Sequence, residues 1–296
     1  MTESPPQHDR GPRWGQRPRV AILGSHEKPV DPALVDTLQT LVTEHAELAL
    51  VDLEGTAELD QLSADFVVVL GGDGSILRAA RRMGTNQLPV LGVNLGKLGF
   101  LADVPPEGVS AAFSRVVAGQ CGLIDHLMLQ CEVLADGAVV LSTLGLNEAA
   151  VLAGPPYRML SVELHIDGER VTRYSCDGLI ISTPVGSTAH NLSAGGPILR
   201  KDLDAFAISA ISPHTLTVRP VVDSADRVYE LVVPDPNPTT ALVVDGTEVH
   251  RIQASDRVLV RRAAPRFQLI EVQGQSYYRT LSDKLGWGGE IRRPGR

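Results

Sequence analysis

The stretch Gly71-Gly72-Asp73-Gly74-Ser75 places one acidic residue among three glycines, directly after the apolar run FVVVL at 66–70 and before a segment with helical spacing. Open α/β sheets bind their ligands outside the carboxyl ends of such strands. Glycine lets phosphate oxygens approach backbone N–H groups, and the helix N-terminus beyond favours anions. A carboxylate beside phosphates is repulsive unless it binds a metal or accepts a proton from an attacking hydroxyl, and phosphoryl transfer uses both devices. Asp73 is therefore the candidate reacting residue, although the position equally suits an Asp that only caps the following helix.

Residues 182–197, STPVGSTAHNLSAGGP, are crowded with hydroxyls and glycines. The stretch is too polar and small to pack for its own sake, and it offers many donors and acceptors to one ligand; a long surface loop is the plainer reading. Asn147-Glu148 follows the strand-like run 139–144. An amide beside a carboxylate suits the paired hydroxyls of a ribose, but two polar residues at a strand end are also an ordinary turn.

Other chemistries find no support. Residues 92–98 have one residue too few between glycines for a phosphate-binding Walker loop and no hydroxyl after Lys97. The eight histidines show no metal-type spacing, and no Ser sits in a G-x-S-x-G elbow. No metal ligand can be named. His126, His165 and His250 read as core or surface histidines.

These residues need a frame, and the sequence supplies one. Residues 20–23, 48–53, 66–70 and 88–93 read as strands. Asp31-Pro32 starts a helix with an apolar stripe at Leu34, Leu38, Leu41 and Val42, and two more helical segments span 76–83 and 109–117. This alternation predicts a doubly wound α/β domain with a parallel sheet over residues 18–125. Near Leu127 the period becomes strand-like. Asp136-Gly137 and Asp167-Gly168 predict hairpins, and further strands are expected at 179–182, 206–211, 229–233, 241–244, 258–260 and 267–272. A β-rich, sandwich-like domain over 126–272 follows, with the ligand expected in the cleft between the two domains.

Composition narrows the partners. A net charge of −8 and 4% aromatic residues weigh against nucleic-acid binding. Three cysteines without paired spacing indicate free thiols. Residues 1–17 are polar and rich in Pro and Arg, and are expected to form a disordered tail rather than a secretory signal. No apolar run is long enough to span a bilayer, so no membrane partner is expected and the cytoplasm is the expected location.

Taken together, Gly71-Gly72-Asp73-Gly74, Gly92-x-Asn94-x-Gly96-x-Leu98-Gly99-Phe100-Leu101, Asn147-Glu148, Asp177 to Pro184 and Gly186-Ser187-Thr188-Ala189 resemble the NAD kinase family in order and spacing. Ser193 to Leu199, Pro213-His214-Thr215-Leu216, Arg219-Pro220, Asp245-Gly246 and Lys284-Leu285-Gly286-Trp287 extend the similarity over nearly all of the chain after the tail. The resemblance implies a kinase, an alcohol-accepting phosphotransferase that moves the γ-phosphoryl group of ATP to the 2′-hydroxyl of the adenosine ribose of NAD. By the same resemblance, Asp73 is the proton acceptor and Gly74 lines its site, Phe100 walls the adenine, and Asn147 and Glu148 meet ribose and adenine. Arg158, Asp177, Thr188, Ala189, His190, Asn191, Leu192 and Ser193 fall at positions around the dinucleotide. A divalent cation, Mg²⁺, on the donor phosphates, a homodimer or homotetramer joined through the β domains, and a final segment, 273–296, returning to the first domain are also implied. Two positions depart from the family pattern. Val185 replaces a Thr and so removes one possible hydrogen bond, and His190 replaces a Tyr, keeping a ring and a donor but shortening the reach.

Two other readings remain. Glycine-flanked Asp turns also occur in lipid and sugar kinases, which would need neither Asn147-Glu148 nor the 182–197 stretch. A non-catalytic NAD sensor would keep the dinucleotide contacts but would not need Asp73.

Overall fold

A computed structural model describes residues 14–24, 29–96, 99–272 and 277–286. The first part alternates strands and helices: β1 (Arg19–Leu23), α1 (Pro32–His45), β2 (Glu47–Asp52), β3 (Phe66–Gly71), α2 (Asp73–Met83), β4 (Val90–Asn94), α3 (Val109–Val117) and β5 (Gly122–His126). Strands then dominate: β6 (Leu129–Ala135), β7 (Ala138–Gly145), β8 (Glu148–Leu152), β9 (Leu160–Ile166), β10 (Glu169–Cys176) and β11 (Gly178–Ser182). After a single turn, α4 (His190–Ser193), come β12 (Ala205–Ile211), β13 (Val221–Ser224), β14 (Tyr229–Val232), β15 (Ala241–Val244), β16 (Thr247–Arg251), β17 (Arg257–Arg262) and β18 (Phe267–Glu271), and α5 (Tyr277–Leu285) closes the described chain.

The first sheet runs β2-β1-β3-β4-β18-β5. Its strands are parallel from β2 to β18, and only β5 is antiparallel, so the sheet is mixed rather than purely parallel. In β3 every residue is buried, and the period of two divides them between two cores: Phe66, Val68 and Leu70 pack with Phe113 and Val116 of α3, while Val67 and Val69 pack with Ile76 and Met83 of α2. Each such side chain contributes about 1.5–3 kcal/mol on full burial, which is why a run of five apolar residues settles as a central strand covered on both faces. α1 begins where the sequence places it, with the Asp31 carboxylate accepting from Ala33 N. Its buried residues are Val35, Leu38 and Val42, and Leu34 and Leu41 pack partly buried against the same core, so the expected stripe holds and widens to Val35.

The strand Phe267–Glu271, which its position along the chain groups with the β-rich half, lies instead in the first sheet between β4 and β5. Trp14, within the stretch expected to be a tail, donates its indole N–H to Val116 O at 2.7 Å and packs on Phe66. Residues 1–13 of that stretch, Lys97-Leu98 of the glycine motif, and residues 273–276 and 287–296, including Trp287, lie outside the described residues.

The second part is a sandwich of two six-stranded antiparallel sheets, β10-β9-β14-β17-β6-β7 and β13-β12-β11-β8-β15-β16. Alternate residues of both sheets, among them Val133, Val162, Val151, Ile181, Phe206 and Val260, form one shared core. Both Asp-Gly turns have positive φ at each residue, and so does a third at Asp245-Gly246 between β15 and β16. The core that includes Ile76, Leu101 and Ala102 of the first part also takes in Met128, Leu146 and Val185 of the second, so the two parts are packed together rather than tethered.

Candidate functional site

Gly72 is the N-cap of α2 and Asp73 its first residue, yet the Asp73 carboxylate does not cap that helix. It reaches across to the segment after β4, where Oδ2 accepts from Phe100 N at 2.6 Å and Oδ1 from Leu101 N at 2.9 Å and Ala102 N at 3.1 Å. Gly99 makes this possible, since a β-carbon there would lie 2.0 Å from Asp73 Oδ1. An ionised carboxylate has about four acceptor positions, so three N–H donors leave room for one more group. Two lysines stand close by. Lys201 Nζ donates to Phe100 O at 2.7 Å, and Lys284 Nζ of α5 lies 3.7 Å from the centroid of the Phe100 ring. Burial pushes the Lys284 amine down to about 8, against the pull of the Asp73 charge.

A second carboxylate repeats the arrangement. Asp245, in the β15–β16 turn, accepts from Leu146 N and Asn147 N at 2.7 Å each and from Glu148 N at 3.1 Å. This fixes the backbone of Asn147-Glu148 at the start of β8. The Glu148 side chain is buried and its Oε2 has no hydrogen-bond partner among the described residues. Burial, reinforced by the Asp245 charge, pushes its carboxyl up to about 8, so it carries a proton at neutral pH. Burial also raises Asp245, while its three backbone donors and Arg81 oppose that rise.

The 182–199 loop is pressed against the same spot. Ser182 pairs with Glu148 across β11 and β8, and a β-carbon on Gly186 would lie 2.1 Å from Asn147 O. Thr183 Oγ1 donates to Leu146 O, and Ser187, fully buried, donates to Pro184 O and accepts from Leu199 N. A cavity of about 260 Å³ joins the halves, lined by Gly74, Leu77, Arg78 and Arg81 of α2 and by Asp245, Gly246 and Thr247. Gly74, next to Asp73, thus stands on one side of this cavity, and Asp245, which holds the backbone of Asn147 and Glu148, on the other.

Not every residue singled out from the sequence belongs to this cluster as a free side chain. Asn191 is fully buried and saturated: Nδ2 donates to Ser187 O and Pro197 O, and Oδ1 accepts from Ser209 Oγ. It braces the loop. Thr188 Oγ1 donates to Val185 O at 3.2 Å, Ala189 O accepts from Leu192 N and Ser193 N, His190 is half-buried, and Ser193 is exposed. Val185 is 3% exposed within the apolar core between the halves, so the hydroxyl absent from this position would have faced hydrocarbon rather than a ligand. Asp177, exposed, lies at the other end of the β8–β11 ladder, where Ala153 N donates to its carbonyl, and Arg158, also exposed, lies between β8 and β9. Arg158 lines a separate cavity with Met159, Asp235 and Asn237.

Sequence reasoning passed over the bracing role of Asp245 and missed Lys201 altogether. The Asp245-Gly246 pair was visible as a turn signal, but nothing local shows that its carboxylate holds three N–H groups about a hundred residues away.

Residues 26–121 match the family model of the ATP-NAD kinase N-terminal domain, and residues 146–272 that of the ATP-NAD kinase C-terminal domain. An NAD kinase of Rhodopirellula baltica is 50% identical over 277 residues, covering 94% of this chain and 89% of its own length. One of Cellvibrio japonicus is 37% identical over 258 residues, covering 87% and 85%. Among solved structures, yeast NADH kinase complexed with NADH shares the fold with a TM-score of 0.86 at 23% identity, covering 99% of this chain and 95% of that one. An NAD kinase from Archaeoglobus fulgidus in complex with ATP superposes with a TM-score of 0.74 at 26% identity, covering 90% and 98%.

Proposed function

The chain belongs to the NAD kinase family and phosphorylates NAD at the expense of ATP, and we propose that it does so with Asp73 as the residue that receives the acceptor hydroxyl. The observation that carries this reading is the Asp73 carboxylate itself, held by three backbone donors with one acceptor position left over, in the residue before Gly74, which lines the cavity shared by both halves. The adenosine ribose of NAD lies along Asn147, Glu148 and the 186–189 turn, with Phe100 at the adenine and the 2′-hydroxyl donating to Asp73. That oxygen attacks the γ-phosphorus of ATP, its proton passes to the Asp73 carboxylate, the bond to the bridging oxygen breaks, and ADP departs with that oxygen. Holding the carboxylate rigidly places donor and acceptor for in-line transfer, which is most of what phosphoryl transfer asks of a protein.

A divalent cation fits this site only as a partner of the phosphates. Among the described residues no three His, Cys, Asp or Glu side chains gather into a cage. Mg²⁺ commonly keeps several waters and is held through substrate phosphates, and with the last acceptor position of Asp73 given to the hydroxyl, phosphates and water would supply its ligands. Bound there, the ion would neutralise charge on the donor phosphates. No helix among the described residues is long and apolar enough to cross a membrane, in keeping with a cytoplasmic enzyme. Asp177, at the far end of the β8–β11 ladder from Asn147, and Arg158, which lines a separate cavity, serve the dinucleotide of a neighbouring subunit in a homodimer or homotetramer.

The test is NADP formation from purified protein with NAD, ATP and Mg²⁺, with lipid and sugar acceptors alongside. Asp73→Asn is expected to lower kcat by about 10²-fold or more while NAD still binds. Turnover close to that of the unaltered protein would remove Asp73 from the chemistry.

A further inference from the structure

Lys201 lies outside every motif singled out above, yet its side chain spans the two halves of the site. We infer that Lys201 is a positioning residue that ties the 182–199 loop to Asp73, so that Asp73 is held in place only when that loop is packed. The inference rests on the proposed role of Asp73.

A continuous series of short contacts supports it. Gly186 lies against Asn147, Ser187 Oγ donates to Pro184 O and accepts from Leu199 N, and two residues further on Lys201 Nζ donates to Phe100 O at 2.7 Å. Phe100 N in turn donates to Asp73 Oδ2 at 2.6 Å. One peptide segment therefore has the amine on its carbonyl and the reacting carboxylate on its N–H. The amine is drawn out of water, which disfavours its charge, and Asp73, Asp103 and Glu271 offset that cost. An ammonium enclosed at such cost contributes little net stability even when well paired, whereas a fixed donor at Phe100 O prevents that segment from drifting. A misplacement of about 1 Å in a phosphoryl-transfer site can cost about 10²-fold in rate.

Lys284 provides the internal comparison. It also approaches Phe100, but over the ring rather than the carbonyl, so it does not hold the peptide that carries the N–H to Asp73.

The experiment is steady-state kinetics with NAD and ATP on Lys201→Met, Lys201→Arg, Asp73→Asn and the double variant Lys201→Met/Asp73→Asn, with thermal unfolding of each. Lys201→Met is expected to lower kcat about 10-fold or more, with both KM values within about twofold and little change in unfolding midpoint. Lys201→Arg, which still donates, should restore most of the loss. In the Asp73→Asn background, Lys201→Met should change kcat by less than about twofold, because the residue it positions is already disabled. If Lys201→Met does not fold, Lys201→Gln takes its place with the same expectations, its shorter side chain falling short of Phe100 O. An unchanged kcat beside a collapsed Asp73→Asn overturns the inference and leaves the role of Asp73 standing. So does a raised KM with intact kcat, which would make Lys201 a substrate contact, and so does full multiplication of the two losses. Native turnover in Asp73→Asn overturns the reading of Asp73 and this inference with it.

Discussion

Asp73 and Asp245 occupy one chemical arrangement built twice, once in each half of the molecule. Each stands before a glycine, and each gathers three consecutive N–H groups from a segment distant in sequence. The difference lies in what surrounds the carboxylate. Around Asp73 are two lysines, and the held segment carries an aromatic ring. Next to Asp245 is a second, buried acid, Glu148, that keeps its proton at neutral pH. Holding a backbone segment is thus common to both and identifies neither as reacting. Both carboxylates have a cation near them, Arg81 in the case of Asp245, so the buried acid is what sets Asp245 apart; we propose that Asp73 meets the acceptor hydroxyl and that Asp245 braces Asn147 and Glu148.

The comparison breaks if the two carboxylates respond alike. Asp73→Asn should act on kcat, as set out above. Asp245→Asn should act on binding and stability: an amide accepts fewer of the three N–H bonds and turns its own donors towards them, so a loss of about 1–3 kcal/mol in unfolding free energy is expected. A raised KM for NAD should accompany it, with kcat reduced far less than in Asp73→Asn. Urea unfolding and initial rates on the two variants decide this.

The acid beside Asp245 sharpens the contrast through pH. In the fold Glu148 holds its proton up to about 8, and in the unfolded chain only up to the ordinary 4.5. Between those values the folded state binds more protons than the unfolded one, so stability falls as pH rises through the window and levels off above it. Thermal midpoints across that range should fall less for Glu148→Gln than for the unaltered protein. Equal slopes would mean that Glu148 ionises normally.

The smallest effect concerns Val185. Because it packs with Leu146 and Ile76 in the core between the halves, Val185→Thr should cost about 1 kcal/mol through its buried hydroxyl and leave the KM for NAD within about twofold. A clear gain in NAD affinity would show that the position faces the ligand after all.

What the sequence made legible was what local chemistry decides. A run such as FVVVL has one good solution, Asp31-Pro32 starts a helix wherever it falls, and Asp136-Gly137 and Asp167-Gly168 turn because few other pairs tolerate positive φ at both positions. The glycines around Asp73 lie, as the pattern requires, at the end of β3 and the start of α2. Partners reached through space could not be read in the same way. Asp73 was weighed as a helix cap or a reacting group, and the structure shows a third use, with the carboxylate closing on residues 100–102. Asn191 sits amid ligand-like residues yet spends its amide on Ser187, Pro197 and Ser209. Lys201 follows an arginine in an unremarked loop, and only the fold brings it to Phe100.

The place of β18 has a consequence for how the molecule comes into being. Leu269 lies opposite Val90, and β5 is held in the first sheet through β18. A nascent chain that has emerged through α3 already has Val104 bonded to Gly92 and Asn94 but lacks the strand that lies beside Val90, so the start of β4 stays uncovered until nearly the whole polypeptide has been synthesised. The late arrival of that strand, at high contact order, completes the sheet that carries Asp73, so a truncated product ending before β18 is expected to lack phosphoryl-transfer activity.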